Sequence, residues 1–238
     1  MIDIHSHILP GVDDGARTLT DSVEIIRELA GIGVTEMIAT PHYMNETQFV
    51  SPYRENCKLF ERLKQVLADE GIGVRIYLGN EIYIDDEILS LLKVGKISGL
   101  AQSKYLLIEL PLNVEFPNYE DVFLDLMNRG FQVILAHPER YTLVQNDINV
   151  AEQLHEMGVL LQGNLGSIMG KYGSGAKKTI KKLVKEKLIF AFGTDTHHCG
   201  GGEQLKLAEK KLAKYYNEAE LEKVLVGNAQ KILASIRR

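Results

Sequence analysis

The feature that most limits how this chain can fold is a regular alternation of short apolar segments with longer amphipathic ones. Along its 238 residues, a strand-like segment is followed by a helix-like segment seven times. This alternation predicts parallel strands joined by right-handed helical crossovers, as in α/β proteins. We predict strands at 2–8, 34–40, 74–78, 105–110, 133–136, 159–162 and 188–192, and helices at 20–30, 51–70, 86–93, 119–128, 150–157, 175–186, 203–216 and 218–236.

Nothing in the chain suggests a boundary between domains. There is no Pro/Ser-rich linker, no low-complexity segment and no repeat beyond the strand–helix rhythm. A length of 238 residues suits a continuous α/β barrel. We therefore expect one domain over residues 1–238, with Thr20 as the N-cap of its first helix.

Composition narrows the possible classes of protein. Hydrophobic residues make up 45% of the chain and charged residues 25%, as in ordinary globular proteins. The net charge is −5 and no long basic run occurs, which argues against a dedicated nucleic-acid binder. Cys57 and Cys199 lie far apart, no cationic leader precedes His5, and no apolar stretch in the chain approaches about 18 residues. We expect a cytoplasmic protein without membrane insertion.

The first fifteen residues carry the strongest chemical signal. Isoleucines alternate with Asp3, His5 and His7, which predicts a strand with these three side chains on one face. Two histidines two residues apart on a strand can hold one metal ion. Taken alone, the pattern also fits a strand with partly exposed histidines.

The other strands weaken that simpler interpretation, because six of the seven predicted strands end in His, Asp or Glu. In barrel enzymes the carboxyl ends of the strands carry the chemistry. Glu109 lies within an apolar strand, where a buried carboxylate requires a partner or a metal. Nitrogen and oxygen ligands suit Mn, Fe, Zn, Co or Mg. We predict a polynuclear metal site from His5, His7, His42, Glu81, Glu109, His137, Asp195 and His197.

Several short motifs resemble those of one superfamily. They are H-S-H at 5–7, D-D-G at 13–15, P-H at 41–42, G-N-E at 79–81, A-H-P-E-R at 136–140 and G-T-D-T-H at 193–197. Together they resemble the PHP (polymerase and histidinol phosphatase) superfamily. The opening D-I-H-S-H-I-L-P-G-V-D-D-G-A is similar to that of the CpsB/CapC-type manganese-dependent protein-tyrosine phosphatases, which accompany capsule and exopolysaccharide synthesis.

The resemblance implies a distorted seven-stranded (β/α)7 barrel that holds three divalent ions, with Mn²⁺ expected. It also implies that Arg140 binds phosphate and that His42 and Asp195 take part in catalysis. Four carboxylates against three divalent ions leave a charge near +2, which suits a phosphate dianion. The implied ligand sets are His5, His7, Glu81 and Asp195 for one ion, Glu81, Glu109 and His137 for a second, and Asp14, His42 and His197 for a third.

The implied reaction is hydrolysis of phosphotyrosine in a protein, with an autophosphorylating bacterial tyrosine kinase as the expected partner. A histidinol-phosphatase-type enzyme and a weakly active, metal-bound regulator of the kinase are the alternatives. The chain departs from the resemblance after His197, where the family usually has an arginine and this chain has His198-Cys199-Gly200-Gly201-Gly202-Glu203. Lys206 is a possible substitute, although an ammonium lacks the planar fork of a guanidinium.

Overall fold

The structure is a computed structural model that describes residues 1–45, 47–113 and 116–236. All strand pairs within its sheets are parallel. The strands are β1 Ile2–Ser6, β2 Glu36–Ala39, β3 His42–Tyr43, β4 Arg75–Leu78, β5 Glu81–Tyr83, β6 Tyr105–Glu109, β7 Gln132–Ala136, β8 Leu160–Asn164 and β9 Ile189–Gly193.

Helices follow most of these strands, as the alternation predicted. They are α1 Leu19–Gly31, α2 Tyr53–Asp69, α3 Ile88–Val94, α4 Tyr119–Asn128, α5 Thr142–Asn146, α6 Asn149–Met157, α7 Leu165–Met169, α8 Gly173–Lys185, α9 Gly202–Leu212, α10 Glu218–Glu222 and α11 Asn228–Ala234. Short 3₁₀ turns occupy residues 100–102 and 138–140, and a π-helical turn over 223–227 joins α10 to α11.

The strands form two sheets that continue into each other. One has the order β1-β2-β4 and the other β3-β5-β6-β7-β8-β9. A parallel bridge between Ser6 and Thr196 connects the first strand to the segment after the last one. The amide of Asp195 also donates to the carbonyl of His5 at 2.9 Å. The prediction of an α/β fold with parallel strands is confirmed.

The described residues form nine strands where seven were predicted, because β2 and β4, the second and third predicted strands, are each followed after a break by a short strand that was not predicted, β3 and β5. The breaks fall at residues 40–41 and 79–80. Pro41 has no amide hydrogen to donate. A Cβ on Gly79 would lie 2.9 Å from Leu100 Cα, so the chain passes close to a neighbouring segment there. After the breaks, His42 and Glu81 pair with each other as register partners in β3 and β5.

Other differences concern the ends of elements. The first helix is capped by Thr18, not Thr20, because Thr18 and Asp21 form a reciprocal capping box.

Strand β1 is buried on both faces, so Asp3 is covered as completely as Ile4. The carboxylate of Asp3 accepts hydrogen bonds from the amide and hydroxyl of Thr194, which ties β1 to the end of β9.

The core has two parts. The larger one packs the helices against the strands, and the smaller one joins residues of β1, β6 and β7, among them Ile4, Leu107 and Ile134, to Ile232 of α11. Among the described residues, no helix has the length and apolar character needed to cross a membrane.

Candidate metal centre

All nine predicted metal ligands lie together at the carboxyl ends of the strands. Ligand atoms within 4.8 Å of one another form four overlapping groups. The groups share members, so the side chains form one continuous cluster. They are His5, His7 and Glu81; His5, His137 and Asp195; His42, Glu81 and Glu109; and His7, Asp14, His42 and His197.

Glu81 occupies the middle of the cluster and is buried. Its Oε2 lies 3.2 Å from His5 Nε2 and 3.3 Å from His7 Nε2. The same oxygen lies 3.0 Å from His42 Nδ1, while Oε1 lies 3.1 Å from His137 Nε2. One carboxylate thus contacts four imidazoles, which is the arrangement expected of a ligand shared between cations.

The two histidines of the opening motif are held in fixed orientations by neighbours. His5 Nδ1 lies 2.8 Å from Gln162 Oε1, and His7 Nδ1 lies 2.8 Å from Asp13 Oδ2. Asp13 also accepts the amide of His42. Each Nδ1 therefore faces an acceptor, so each Nε2 is left facing the cluster. This is how protein metal sites usually orient their histidines.

The two carboxylate oxygens of Asp195 face different sets of groups. Oδ1 lies 3.4 Å from His7 Nε2 and so faces the cluster. Oδ2 accepts hydrogen bonds from Arg140 Nη1 at 2.8 Å, Asn164 Nδ2 at 2.6 Å and the hydroxyl of Tyr172 at 3.1 Å. Arg140 also lies over the ring of Tyr172, 4.5 Å from its centroid. Arg140 is therefore fixed at the edge of the cluster.

A third group lies nearer to solvent. Asp14 Oδ1 is 3.3 Å from His197 Nε2 and 3.5 Å from His42 Nε2. The ring of His197 stacks on that of His7, with centroids 3.9 Å apart. Because Asp14 is half exposed, this part of the cluster is the most accessible from outside.

The charges of the cluster shift its titrations strongly. Burial lowers the pKa of His5, but Glu81 and Asp195 raise it more, to about 9. Burial raises the pKa of Glu109 to about 8, with Glu81 adding to the effect. The hydrogen bond from His197 lowers the pKa of Asp14 to about 2. In the metal-free protein, His5 and Glu109 therefore keep their protons near neutral pH, which reduces the repulsion among the buried carboxylates. Divalent cations could take the place of these protons.

The donor set fits divalent cations. Among the described residues, Glu81 Oε2, His42 Nδ1 and His137 Nδ1 are buried without a hydrogen-bond partner of acceptable geometry. Glu81 Oε2 nevertheless lies within 3.3 Å of nitrogen atoms of three imidazoles, although none of these contacts has hydrogen-bond geometry. Buried polar atoms normally find a partner. A cation beside Glu81 Oε2 and His42 Nδ1 would satisfy both atoms, and nitrogen with carboxylate oxygen suits Mn, Fe or Zn.

Two residues of the cluster have strained backbones. His137 (φ 32°) and Asp195 (φ 49°) adopt left-handed conformations, which residues other than glycine rarely do. Such strain is concentrated at functional sites, where surrounding contacts maintain it. His137 follows directly on β7 and Asp195 lies two residues after β9, at the turns that direct their side chains into the cluster.

Other residues singled out in the sequence lie elsewhere. Lys206 is exposed on α9, and His155 lies on α6, away from the other histidines. Cys199 is exposed in the loop after His197 and belongs to none of the ligand groups among the described residues.

Sequence reasoning missed three residues that support the ligands, namely Gln162, Asn164 and Tyr172. Gln162 ends the sixth predicted strand and Asn164 follows shortly after it; this is the one strand of the seven without a His, Asp or Glu at its end. Its amides contact His5 and Asp195 instead. That gap in an otherwise regular pattern is the signal that could have drawn attention to them.

The family model described as "Capsular polysaccharide synthesis, CpsB/CapC" matches residues 1–234. The chain belongs to the CpsB/CapC family. This CpsB/CapC protein is 33% identical over 239 residues to the tyrosine-protein phosphatase YwqE of Bacillus subtilis (strain 168), covering 98% of this chain and 91% of YwqE.

A comparison with solved structures supports this family membership. The CpsB/CapC protein matches a chain from the crystal structures of YwqE from Bacillus subtilis and CpsB from Streptococcus pneumoniae, described as unique metal-dependent tyrosine phosphatases. The TM-score is 0.86 at 32% identity, over 100% of this chain and 96% of that one. Histidinol phosphate phosphatase from Lactococcus lactis gives a TM-score of 0.57 at 15% identity, over 90% of this chain and 92% of that one. This second likeness shows the fold alone.

Proposed function

We propose that this CpsB/CapC protein is a metal-dependent protein-tyrosine phosphatase that acts in capsule or exopolysaccharide synthesis. The observation that carries the proposal is the contact of four imidazoles with the single carboxylate of Glu81, beside the fixed Arg140. Its relative YwqE bears the name of a tyrosine-protein phosphatase and is similar over nearly the whole chain.

We assign three divalent ions, with Mn²⁺ as the native metal, to the ligand sets that the motifs imply. When bound, such ions supply Lewis acidity and make a nucleophile from water near neutral pH. Glu81 would be shared between two of the ions. The sets are His5, His7, Glu81 and Asp195; Glu81, Glu109 and His137; and Asp14, His42 and His197. All of these residues belong to the overlapping groups of the cluster, although the groups divide them differently.

The chain's own groups orient the substrate. Arg140 can donate to phosphoryl oxygens through hydrogen bonds that its positive charge strengthens. It is already directed to this edge by Asp195 Oδ2 and the ring of Tyr172. A tyrosinate leaving group, with a pKa of about 10, needs less help from an acid than an alkoxide does. Phosphotyrosine therefore suits a centre in which no general acid stands out.

We further propose the finer features that the family resemblance implies. The broken strand pairs β2/β3 and β4/β5 each count as one strand of a distorted seven-stranded barrel, and residues 1–238 form one domain. The substrate is a phosphotyrosine protein, with an autophosphorylating bacterial tyrosine kinase as the expected partner, in the cytoplasm. No nucleic acid and no membrane insertion are involved.

Two alternatives remain to be separated from this function. A histidinol-phosphatase-type enzyme shares the fold, as the Lactococcus lactis structure shows. A weakly active regulator of the kinase is favoured by one feature, the absence of an arginine between His197 and the start of α9.

The test is to strip the metal, confirm its loss by elemental analysis, and restore Mn²⁺. We expect hydrolysis of a phosphotyrosine peptide to disappear and return, and to exceed hydrolysis of histidinol phosphate. Glu81→Ala should lose both metal and turnover, whereas Glu24→Ala, an exposed acid on α1, should keep both. Faster turnover of histidinol phosphate would support the small-molecule enzyme. Negligible turnover of both, with tight kinase binding, would support the regulator.

A further inference from the structure

A cavity of about 510 Å³ opens beside the metal centre. One wall is the segment from Met169 to Lys171 between α7 and α8, and another is the glycine-rich loop before α9. Thr194, Thr196 and His197 form part of its floor, next to Asp195. A group bound to the metal centre would therefore extend directly into this space.

The walls suit a flat apolar group. Met169 and Leu205 supply apolar surface, and several glycines leave the backbone accessible. Sites for small ligands are clefts of about 300–1,000 Å³, mostly apolar with a few well-placed polar groups. The cavity falls within that range and is larger than a phosphoryl group alone requires.

Lys171 provides the charge at the inner edge of the cavity. Its ammonium lies 5.1 Å from the centroid of the Tyr172 ring, whose hydroxyl donates to Asp195 Oδ2. Arg140 lies over the same ring. Two cations thus flank Tyr172 at the edge of the metal centre. Among the described residues, Lys171 has no ion pair with a carboxylate, so its charge is available to a ligand.

We propose that this cavity receives the aryl ring of a phosphorylated tyrosyl side chain and that Lys171 contacts its phosphoryl group. The inference rests on the proposed phosphatase function and deepens it. Lys171 then supplies the second positive charge that the missing arginine would have given. Lys206 is less suited to this role, because it does not line the cavity, whereas its neighbours Gln204 and Leu205 do.

The proposed contact between Lys171 and the phosphoryl group is tested with Lys171→Ala in the manganese-loaded protein. We expect the KM for a phosphotyrosine peptide and the Kd for inorganic phosphate each to rise about tenfold, the usual loss for a charge-assisted hydrogen bond. Lys178→Ala, an exposed lysine on α8, is the control and should change neither value. An unchanged phosphate Kd in Lys171→Ala, or a tenfold effect in Lys206→Ala instead, would overturn the assignment of Lys171.

The cavity is tested with Gly201→Leu. Gly201 has an ordinary φ of −103°, and a Cβ there meets nothing within 4 Å, so the side chain can enter open space without strain. We expect the KM for the peptide to rise about tenfold and the phosphate Kd to stay unchanged, since only the ring is displaced. Gly73→Leu, at an exposed glycine before β4 with equal space, is the matched control. An unchanged KM, or an equal loss of phosphate binding, would refute the ring site.

Failure of the proposed function is distinguishable from failure of this inference. A wild-type protein that binds manganese but does not hydrolyse the phosphotyrosine peptide contradicts the function itself. A wild-type protein that hydrolyses the peptide, with Lys171→Ala and Gly201→Leu both at wild-type values, contradicts only the inference.

Discussion

At the scale of single residues, the candidate metal centre depends on side chains outside the predicted ligand set. Gln162 is completely buried, and the oxygen and nitrogen of its side-chain amide contact different groups. Oε1 faces His5 Nδ1, while Nε2 donates to Gly163 O and Asn164 Oδ1, both at 2.8 Å. Asn164 then donates to Asp195. One chain of hydrogen bonds therefore orients two ligands from opposite ends of the sequence.

Gln162→Ala should weaken manganese binding about 10–100-fold, the usual effect of removing a group that orients a ligating histidine. The reason is that His5 would lose the acceptor that fixes which of its nitrogens faces the cluster. Metal titration followed by calorimetry measures the change. Gln132→Ala, at a half-buried glutamine on β7, is the control. Equal affinities in the two variants would show that Gln162 is not needed for orientation.

Manganese affinity should rise steeply with pH between 6 and 8. His5, with a pKa of about 9, and Glu109, with a pKa of about 8, are mostly protonated in the metal-free protein over this range. A metal ion binds only their deprotonated forms, so binding releases these protons. Since fewer protons have to leave as pH rises, affinity increases toward a plateau above about pH 9. Calorimetry in buffers of different ionisation enthalpy counts the protons released. A Kd independent of pH would contradict the coupling.

Sequence spacing was enough to predict which His, Asp and Glu side chains the fold brings together, but not the groups that orient them. His and carboxylate residues recurring at strand ends are rare enough to stand out, as at His5, His137 and Asp195. A glutamine, an asparagine and a tyrosine are common in any chain. Only the folded structure shows that Gln162 contacts His5 and that Tyr172 contacts Asp195, each far away in sequence.

At the scale of elements, one acidic side chain fixes the loop that carries His197. Glu28 of α1 accepts the amides of Gly200 and Gly202, both at 2.6 Å. These amides precede or begin α9, where an anion is favoured by the helix dipole. Glu28 thus joins α1 to the glycine-rich loop, and this contact also shapes one wall of the cavity.

Glu28→Ala should reduce the free energy of unfolding by about 1–2 kcal/mol, because two backbone donors lose a charged acceptor at a partly exposed site. Urea denaturation with a comparison of midpoints measures the loss. Glu24→Ala lies one turn away on the same helix, is exposed, and should cost little. Equal midpoints for the two variants would show that the loop does not depend on Glu28.

The elements themselves were largely predictable, and the two breaks in the strands were not. Thr40-Pro41 and Gly79-Asn80 read in the sequence as strand ends. In the structure, Asn80 donates to Pro41 O and accepts the amide of Ser98, so side-chain bonds bridge the gap. Pairing then resumes one step further on, at His42 and Glu81. Such a bridge depends on a tertiary neighbour that no local pattern shows.

At the scale of the whole molecule, the ligands come from both ends of the chain, so metal binding should stabilise the entire fold. At 100 times its Kd, a ligand of the native state adds about 2.7 kcal/mol. For a protein of this size that corresponds to a rise in Tm of about 5–11 °C. Differential scanning calorimetry with manganese, and with a chelator, measures the shift. Glu81→Ala should show almost none, and an equal rise in that variant would indicate binding elsewhere.

The connection between Asp3 and Thr194 also has a consequence for biosynthesis. At about 5–20 residues per second, a ribosome needs roughly 10–40 s to add the residues between them. Throughout that time β1, with His5 already on it, can pair with β2 but has a free edge on its other side. The complete set of ligands exists only after His197 has emerged. A metal site that uses all of the predicted ligands can therefore form only in the last stage of synthesis or after it.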